Sequence, residues 1–303
     1  TFTLRGGFDA NIEWRSQQKP FMSLDNRYGM YREKTIRRYD YNSDFLLKYN
    51  KLWDRFGVTA AFGGSVLRNK YYSTTITASQ LSSEGPGMYS FANAAVALDT
   101  SPYRSNRQTN SLYGFVNLSW DDTYFLDVTA RNDWSSTLPA ESRSYFYPSV
   151  AGSFILTEVL PKMRGVDLLK VRGSWTRTKM DLGVYDIDRS YTISADRWGG
   201  MSGADYPDKI RGSVNPETKD AYEIGVAGIF FGNRLRADVT YYQTLSYDFV
   251  KDGTVSNASG FTHKKINTKE ELLRRGAEVM LSATPVKTKD WRWDTGVNWS
   301  LDR

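Results

Sequence analysis

Apolar side chains recur at every second position along most of this chain. Between residues 168 and 178, Val171 and Trp175 lie on one side of the period-two pattern, whereas Lys170 and Arg172 lie on the other. A helix would spread these apolar residues around its axis, but a strand places them all on one face. The pattern therefore predicts strands that have one apolar face and one polar face.

Turn residues divide the chain into about eleven segments of this kind. Their approximate ranges are 2–14, 36–50, 55–70, 110–120, 123–134, 146–158, 168–178, 219–231, 234–250, 272–284 and 291–301. Many of them exceed the ~5–6 residues that are usual for strands of soluble sheets. The sequence therefore predicts an all-β chain with unusually long antiparallel strands.

The connections between these segments alternate between short and long. The short ones are 51–54, 121–122, 159–167, 232–233 and 285–290; the long ones are 15–35, 71–109, 135–145, 179–218 and 251–271. Short turns thus gather at one end of the strands and long loops at the other, which is typical of a membrane β-barrel. A soluble β-sandwich or propeller also alternates, but seldom combines such long strands with such unequal loops.

Composition narrows the function classes. No run approaches the ~18 apolar residues that a membrane-spanning helix needs. The absence of Cys and the single His263 argue against thiol catalysis, disulfide scaffolds and histidine-rich metal sites. Basic residues exceed acidic ones by six, but they form no block typical of nucleic-acid binding. We therefore expect neither an enzyme nor a nucleic-acid partner, and we assign Asp121 and Asp122 to a tight turn rather than to a catalytic pair.

Aromatic residues cluster at the predicted strand ends, as in the girdles at the two surfaces of a membrane barrel. They are Trp120, Tyr124, Phe230, Phe231, Trp291 and Trp293. In hydrocarbon every backbone polar group must be paired, so a sheet can cross only as a closed barrel. Eleven strands with two free edges are therefore expected to be part of a longer polypeptide.

Three stretches resemble the SusC/RagA-type TonB-dependent outer-membrane transporters of Bacteroidetes. The first runs from 124 to 154 and contains Arg-Asn-Asp-Trp-Ser-Ser, and the second is Leu-Lys-Val-Arg-Gly-Ser-Trp at 169–175. The third, at 215–225, reads Asn-Pro-Glu-Thr-Lys-Asp-Ala-Tyr-Glu-Ile-Gly. The segment 275–285 resembles a further strand start of the family, but it departs by having Ala277 after Gly276.

The resemblance implies a fold, a location and partners. Residues 1–303 would be a partial transmembrane β-barrel in the bacterial outer membrane, with roughly half of 22 strands, short periplasmic turns and long extracellular loops. The signal peptide, N-terminal extension, plug, early strands and closing strands would lie outside it. The complete protein would import oligosaccharides or peptides, powered by TonB acting through the absent N-terminal parts.

The resemblance also implies partners. A SusD-like surface lipoprotein would cover the loops, and outer-membrane lipid and lipopolysaccharide would surround the barrel. The alternative is a non-transporting receptor or structural barrel within a larger surface assembly.

Alternation assigns faces to the barrel wall. We expect the lipid to meet Leu126, Val128, Val171, Trp175, Leu235 and Val239. We expect the lumen to be lined by Asp127, Arg131, Asp133, Lys170, Arg172, Arg236 and Asp238, with Arg292 and Asp294 on the same wall. These charges would hydrate the wall and dock a plug, and direct contact with substrate is the alternative.

The long loops contain the candidate ligand-binding residues. Aromatic rings beside polar groups suit sugar faces and peptide side chains, and the candidates are Tyr89, Tyr103, Trp198 and Tyr206. The alternative is that such rings only pack the loops together. Asp186 and Asp188, with Asp181 and Asp196, form a weak Ca²⁺-loop pattern without the Gly and distal Glu of an EF-hand. We therefore favour a solvated loop there and expect no cofactor.

Overall fold

The computed structural model describes residues 1–24, 26–85, 87–188, 191–198, 201–205, 209–210 and 212–303, without the side chains of 192–202, 204–205 and 209–210. Sixteen strands, β1–β16, account for most of the described chain. They are Phe2–Ser23, Asn26–Trp53, Phe56–Ala78, Asp99–Trp120, Tyr124–Ser135, Ser144–Ile155, Val166–Met180, Thr192–Trp198, Met201–Asp205, Lys209–Ile210, Glu217–Phe230, Leu235–Tyr247, Val250–Thr254, His263–Asn267, Leu272–Lys287 and Arg292–Asp302. Three single-turn 3₁₀ helices lie at Phe91–Asn93, Leu156–Glu158 and Asn257–Ser259. In the ranges given above, no helix has the length and apolarity needed to cross a membrane.

Eleven of the strands form one sheet in the order β1-β2-β3-β4-β5-β6-β7-β11-β12-β15-β16. From β5 onward every neighbouring pair is antiparallel. The prediction of an all-β chain with eleven long strands is confirmed. The other strands lie in the long connections, as the hairpin β8-β9 and the small sheet β10-β14-β13.

The first two predicted long loops were placed too broadly. Segment 15–35 is mostly strand, because β1 continues to Ser23 and β2 begins at Asn26, and β3 and β4 likewise extend into 71–109. Polar side chains on both faces explain the error. Trp14 Nε1 donates to Glu33 Oε2 at 3.4 Å, and Arg32 Nε donates to Thr77 Oγ1 at 3.1 Å. Where both faces are polar, the period-two signal disappears although the strand continues.

The main sheet has the two faces that alternation predicts. One row of cross-strand partners is apolar over seven strands: Tyr124, Phe154, Val171, Val226, Val239, Val279 and Trp299. The adjacent row, on the opposite face, ends at Phe125 on β5 and is polar or small from β6 to β16: Ser153, Arg172, Gly225, Thr240, Glu278 and Ser300. We call these the apolar face and the polar face. Which of the two meets lipid stays a prediction.

The chain divides into two units, and each has its own small cluster of buried residues. The first unit comprises 1–3, 45–64 and 110–303, and its cluster joins Leu138 and Tyr145 to Leu182, Ile187 and Val214. The second unit comprises 4–44 and 65–109. Its cluster contains Tyr31, Ala78 and Leu81, with Phe21, Tyr89, Phe91 and Ala94 packed against them. Both clusters lie where connections fold onto strand ends.

Candidate functional site

An ion pair crosses a whole strand on the polar face. Arg172 of β7 donates from Nη1 and Nη2 to the two carboxylate oxygens of Asp238 of β12, at 2.8 and 2.7 Å, and from Nη2 to Thr240 Oγ1 at 2.5 Å. Strand β11 lies between these two strands, and its residue opposite Arg172 is Gly225. The two-point geometry orients the guanidinium as well as neutralising it.

Gly225 is what makes this arrangement possible. A Cβ atom built there would lie 2.8 Å from both Cζ and Nε of Arg172, which is too close for a real contact. The guanidinium can therefore lie close against the strand only because this position carries no side chain. Two stretches that resemble the SusC/RagA family, 169–175 and 215–225, contribute Arg172 and Gly225.

A second group joins β4, β5 and β6. Arg131 Nε donates to Asp133 Oδ1 at 2.8 Å, and Tyr147 Oη donates to Asp133 Oδ2 at 2.6 Å. Arg131 Nη2 also donates to Ser111 Oγ at 3.0 Å, and its Cζ lies 5.8 Å from the ring centroid of Tyr113. Asp133 is only 6% exposed. Its charge is therefore satisfied by specific partners rather than by water.

Asp127 and Lys170 line one polar recess of about 580 Å³. Asp127 accepts a hydrogen bond from the Nδ2 atom of Asn117. The Nζ atom of Lys170 lies 5.7 Å from the ring centroid of Phe125. The recess also contains residues flanking the short connection between β2 and β3, such as Leu52 and Gly57. It therefore lies at the short-turn end of the strands.

The remaining wall residues are held locally. Arg236 turns back to the β11–β12 connection, where its Nε donates to Asn233 Oδ1 at 2.7 Å. Arg292 Nε donates to Asp294 Oδ2 at 2.8 Å within β16. The structure thus joins Arg172 to Asp238, Arg131 to Asp133, and Asp127 to Lys170 through a shared recess. The remaining three predicted wall residues, Arg236, Arg292 and Asp294, do not contact these groups.

The predicted ligand-binding aromatics lie in different environments. Tyr103 belongs to β4 rather than to a loop and is 47% exposed. Its ring meets Tyr71 edge-on at 5.8 Å between centroids, and Arg38 Cζ lies 5.5 Å from the Tyr71 centroid. Tyr89 packs against the buried cluster of the second unit. Tyr206 and the side chain of Trp198 lie outside the described residues. A ligand-binding role stays a prediction for all four.

A further charged group lies at the loop end of the sheet and was not among the predicted site residues. Arg177 Nε and Nη2 donate to the two oxygens of Asp220, both at 2.8 Å, and Tyr247 Oη lies 3.2 Å from Asp220 Oδ2. Arg177 and Asp220 are direct cross-strand partners of β7 and β11. Alternation carried past Trp175 would place Arg177 on the apolar face. A charged residue at an apolar-face position is therefore the sequence feature that could have indicated this group.

Two aspartates of the weak Ca²⁺ pattern, Asp181 and Asp186, have hydrogen-bond partners within the protein. Asp181 Oδ2 accepts from Thr137 Oγ1 at 3.1 Å and also from Ser135 Oγ. Asp186 Oδ2 accepts from the backbone N–H of Gly183 at 3.0 Å. Within the described part of the chain no group of three or more metal-binding side chains converges, and the side chain of Asp196 lies outside it.

Several charged side chains of the polar face have fixed partners. Arg172 is paired with Asp238 and Arg131 with Asp133, whereas Arg236 donates to the neutral side chain of Asn233. Such a surface can form hydrogen bonds with another polar surface without carrying a large field of one sign.

Comparison with known proteins agrees with this architecture. The family model for TonB dependent receptor-like β-barrels matches residues 1–302. TonB-dependent receptor P26 of Formosa agariphila is 25% identical over 308 positions, which cover 96% of this chain and 30% of that protein. Receptor P39 of the same organism is 22% identical over 309 positions, covering 100% of this chain and 30% of that protein. The chain thus spans less than a third of these relatives.

Solved structures share the fold. The RagAB peptide importer in its closed-closed state superposes with a TM-score of 0.84 at 19% identity, over 100% of this chain and 34% of that one. The pyoverdine receptor FpvA of Pseudomonas aeruginosa PAO1 gives a TM-score of 0.54 at 13% identity, over 99% of this chain and 42% of that one. Because the family model matches nearly every residue, the chain belongs to the TonB-dependent receptor-like β-barrel family of the bacterial outer membrane.

Proposed function

We propose that the complete receptor containing this chain imports oligosaccharides or peptides across the outer membrane with energy delivered by TonB. The observation that carries the proposal is the two-faced eleven-stranded sheet, whose polar face holds Arg172 and Asp238 in a fixed pair. The likeness to a peptide importer supports peptides as one of the two substrate classes.

The polar face has two tasks in this proposal. It keeps the lumen hydrated, and it docks the polar surface of a plug. The pair between Arg172 and Asp238 suits both tasks, because a paired guanidinium still offers unused donors but attracts a passing anion less than a free one would. The recess around Asp127 and Lys170, at the short-turn end, is the proposed docking position for the plug.

A surface lipoprotein of the SusD type is the proposed partner at the long-loop end, and TonB is the proposed partner through the parts outside this chain. Support comes from the loops, since 181–216 and 136–143 are much longer than a hairpin needs. Their inner portions pack together through Leu138, Leu182 and Val214. We propose that their outer portions contact the lid.

An uptake experiment tests import. Cells that lack the receptor gene would carry either the wild-type gene or a version uncoupled from TonB. Each strain would receive labelled oligopeptides and labelled oligosaccharides. Import predicts accumulation of one class in wild-type cells and its loss in the uncoupled strain. Surface binding that is equal in both strains, without accumulation, would instead establish the non-transporting receptor.

A separate experiment tests the lid. The segment 179–218 would be replaced by a tight turn in the complete receptor, and the protein would be purified from solubilised outer membranes. We expect a stoichiometric lipoprotein to accompany the wild type and to be lost from the shortened variant. Its retention by the variant, or its absence from the wild type, would contradict the proposal.

A further inference from the structure

A basic recess lies on strands β2, β3 and β4 within the second unit. Its volume is about 630 Å³. Its lining includes Arg37, Tyr39 and Tyr41 of β2, Lys70 and Tyr72 of β3, and Arg104 of β4. The lining contains three cationic side chains and no carboxylate.

Contacts on both sides of these strands establish which face carries the recess. The ring of Tyr39 meets that of Tyr72 edge-on at 6.3 Å, and Lys70 Nζ lies 5.4 Å from the Tyr41 centroid. On the opposite face, Asn69 Nδ2 donates to Asp40 Oδ1 at 2.6 Å. The cations of the recess are therefore on the other side of the sheet from Asp40.

The same face of the second unit carries an exposed apolar stripe. Phe8 of β1 stacks on Tyr39 at 6.3 Å and meets Tyr41 at 5.1 Å between centroids. The stripe consists of Leu4, Phe8 and Ile12, which lie on one face of β1 and are 74%, 59% and 70% exposed. Aromatic rings and long cations beside exposed apolar residues are typical of the zone where a membrane surface meets water.

The charge of the recess is not balanced from within the described chain. Among the described residues, no ion pair joins Arg37 or Arg104 to a carboxylate. Glu33, further along the same face of β2, accepts from Tyr31 Oη at 2.6 Å and from Trp14 Nε1 at 3.4 Å. The recess therefore presents uncompensated positive charge next to apolar surface.

We propose that this recess binds the phosphorylated headgroup of an outer-leaflet glycolipid, with the acyl chains lying on the apolar stripe of β1. Guanidinium groups suit phosphate because they donate two parallel hydrogen bonds. Tyrosine rings can cover the sugar to which the phosphate is attached. The adjoining apolar stripe favours a lipid over a soluble anion, since only a lipid would cover both surfaces.

The test uses the complete receptor, stripped of lipid in detergent and examined by native mass spectrometry. Three probes are compared: a diphosphorylated lipid A-type glycolipid, the same glycolipid without phosphates, and inorganic phosphate. The variant R37Q/K70Q/R104Q removes the three cations. We expect this variant to bind the phosphorylated glycolipid more than about tenfold more weakly than the wild type, since each cation near an anionic lipid adds to affinity.

The matched control removes the same charge from the opposite face, as R15Q/R32Q/K34Q, and it should bind the glycolipid as the wild type does. Equal loss in both variants, or no loss in either, would overturn the proposal. So would wild-type affinity for the glycolipid without phosphates, or full competition by inorganic phosphate, which would indicate a soluble-anion site. The single variant K70E, checked for folding by heat-dependent electrophoretic mobility, should reproduce the loss if the triple variant fails to fold.

Discussion

The missing side chain at Gly225 decides where the Arg172 guanidinium lies. In most strands a glycine weakens the sheet, because it adds backbone freedom to the unfolded chain and packs nothing. Here the gap lets one side chain reach across a strand to a partner two strands away. Neither Arg172 nor Asp238 reveals this connection in the sequence, since 66 positions separate them.

We predict that Gly225→Val uncouples Arg172 from Asp238. The new side chain would occupy the space of the guanidinium, because a Cβ alone already lies 2.8 Å from it. Asp238→Asn should lower the free energy of unfolding by about 1 kcal/mol in the wild type, as expected for a pair whose side chains are 38% and 30% exposed, and by almost nothing in the Gly225→Val background. Urea unfolding of the complete barrel measures both effects.

Gly173→Val is the matched control. Gly173 lies on the neighbouring strand, where an added Cβ would make only an ordinary contact, 3.7 Å from the Glu223 carbonyl oxygen. The cost of Asp238→Asn should be unchanged in this background. An undiminished cost in the Gly225→Val background would show that Gly225 is not needed for the pair.

A second prediction concerns Asp220, which is 5% exposed and receives both donors of Arg177. Asp220→Asn should lower the free energy of unfolding by about 1–2 kcal/mol, because a neutral amide then replaces the buried carboxylate that holds Arg177, and the Arg177 side chain is 35% exposed, so water screens part of the effect. Asp294→Asn is the control: its pair with Arg292 is exposed to solvent, so we expect a clearly smaller loss than at Asp220. Equal losses, measured by urea unfolding, would contradict the structure.

At the scale of the strand, alternation predicts the strand and its two faces correctly where one of the faces is apolar. Along β11, Tyr222, Ile224 and Val226 are exposed and share the apolar face, whereas Gly225 and Ala227 belong to the polar one. The exposure of apolar residues would be costly in water, and it is expected where the surroundings are hydrocarbon.

This arrangement predicts opposite surroundings for two adjacent positions. The chain has no Cys, so single substitutions Val226→Cys and Ala227→Cys can each carry one nitroxide label. In the complete receptor in lipid vesicles, the label at 226 should be relaxed mainly by oxygen, which concentrates in hydrocarbon. The label at 227 should be relaxed mainly by a water-soluble nickel chelate. The reverse result in power-saturation spectroscopy would exchange the lipid and lumen faces.

At the scale of the whole molecule, the order of strands leaves β1 and β16 at the two ends of the sheet. Each presents a row of backbone groups without a strand partner in that sheet. Such rows cannot face hydrocarbon, where an unsatisfied group costs several kcal/mol. The neighbouring strands of a closed barrel would satisfy them.

We therefore predict that residues 1–303 expressed alone will not fold stably in lipid. Refolding into vesicles should give protein whose mobility on electrophoresis does not depend on heating, together with aggregates formed through the free edges. The complete receptor, refolded in parallel, should show the heat-dependent mobility of a closed barrel. A heat-dependent shift in the 303-residue chain would mean that its edges are satisfied by self-association or closure.

Much of this organisation follows from local pattern. The period-two alternation around Val171, Val128 and Val239 predicts strands and their faces, because the pleat of a strand sends successive side chains to opposite sides. The count of eleven strands follows from the turns between them. The extension of β1 and β2 through 15–35 could not be predicted in this way, because both of its faces carry polar side chains and the period-two pattern disappears.

Which charged residues pair with each other could be known only from the tertiary structure. The set of wall residues could be chosen by alternation, but the connection of Arg172 to Asp238 across Gly225, and of Arg177 to Asp220, depends on the register between strands. Register is set jointly by many cross-strand hydrogen bonds and by the burial of whole faces, not by any single segment. Alternation is a property of neighbouring residues, so a linear sequence displays it directly. Pairing joins residues that only the assembled sheet brings together.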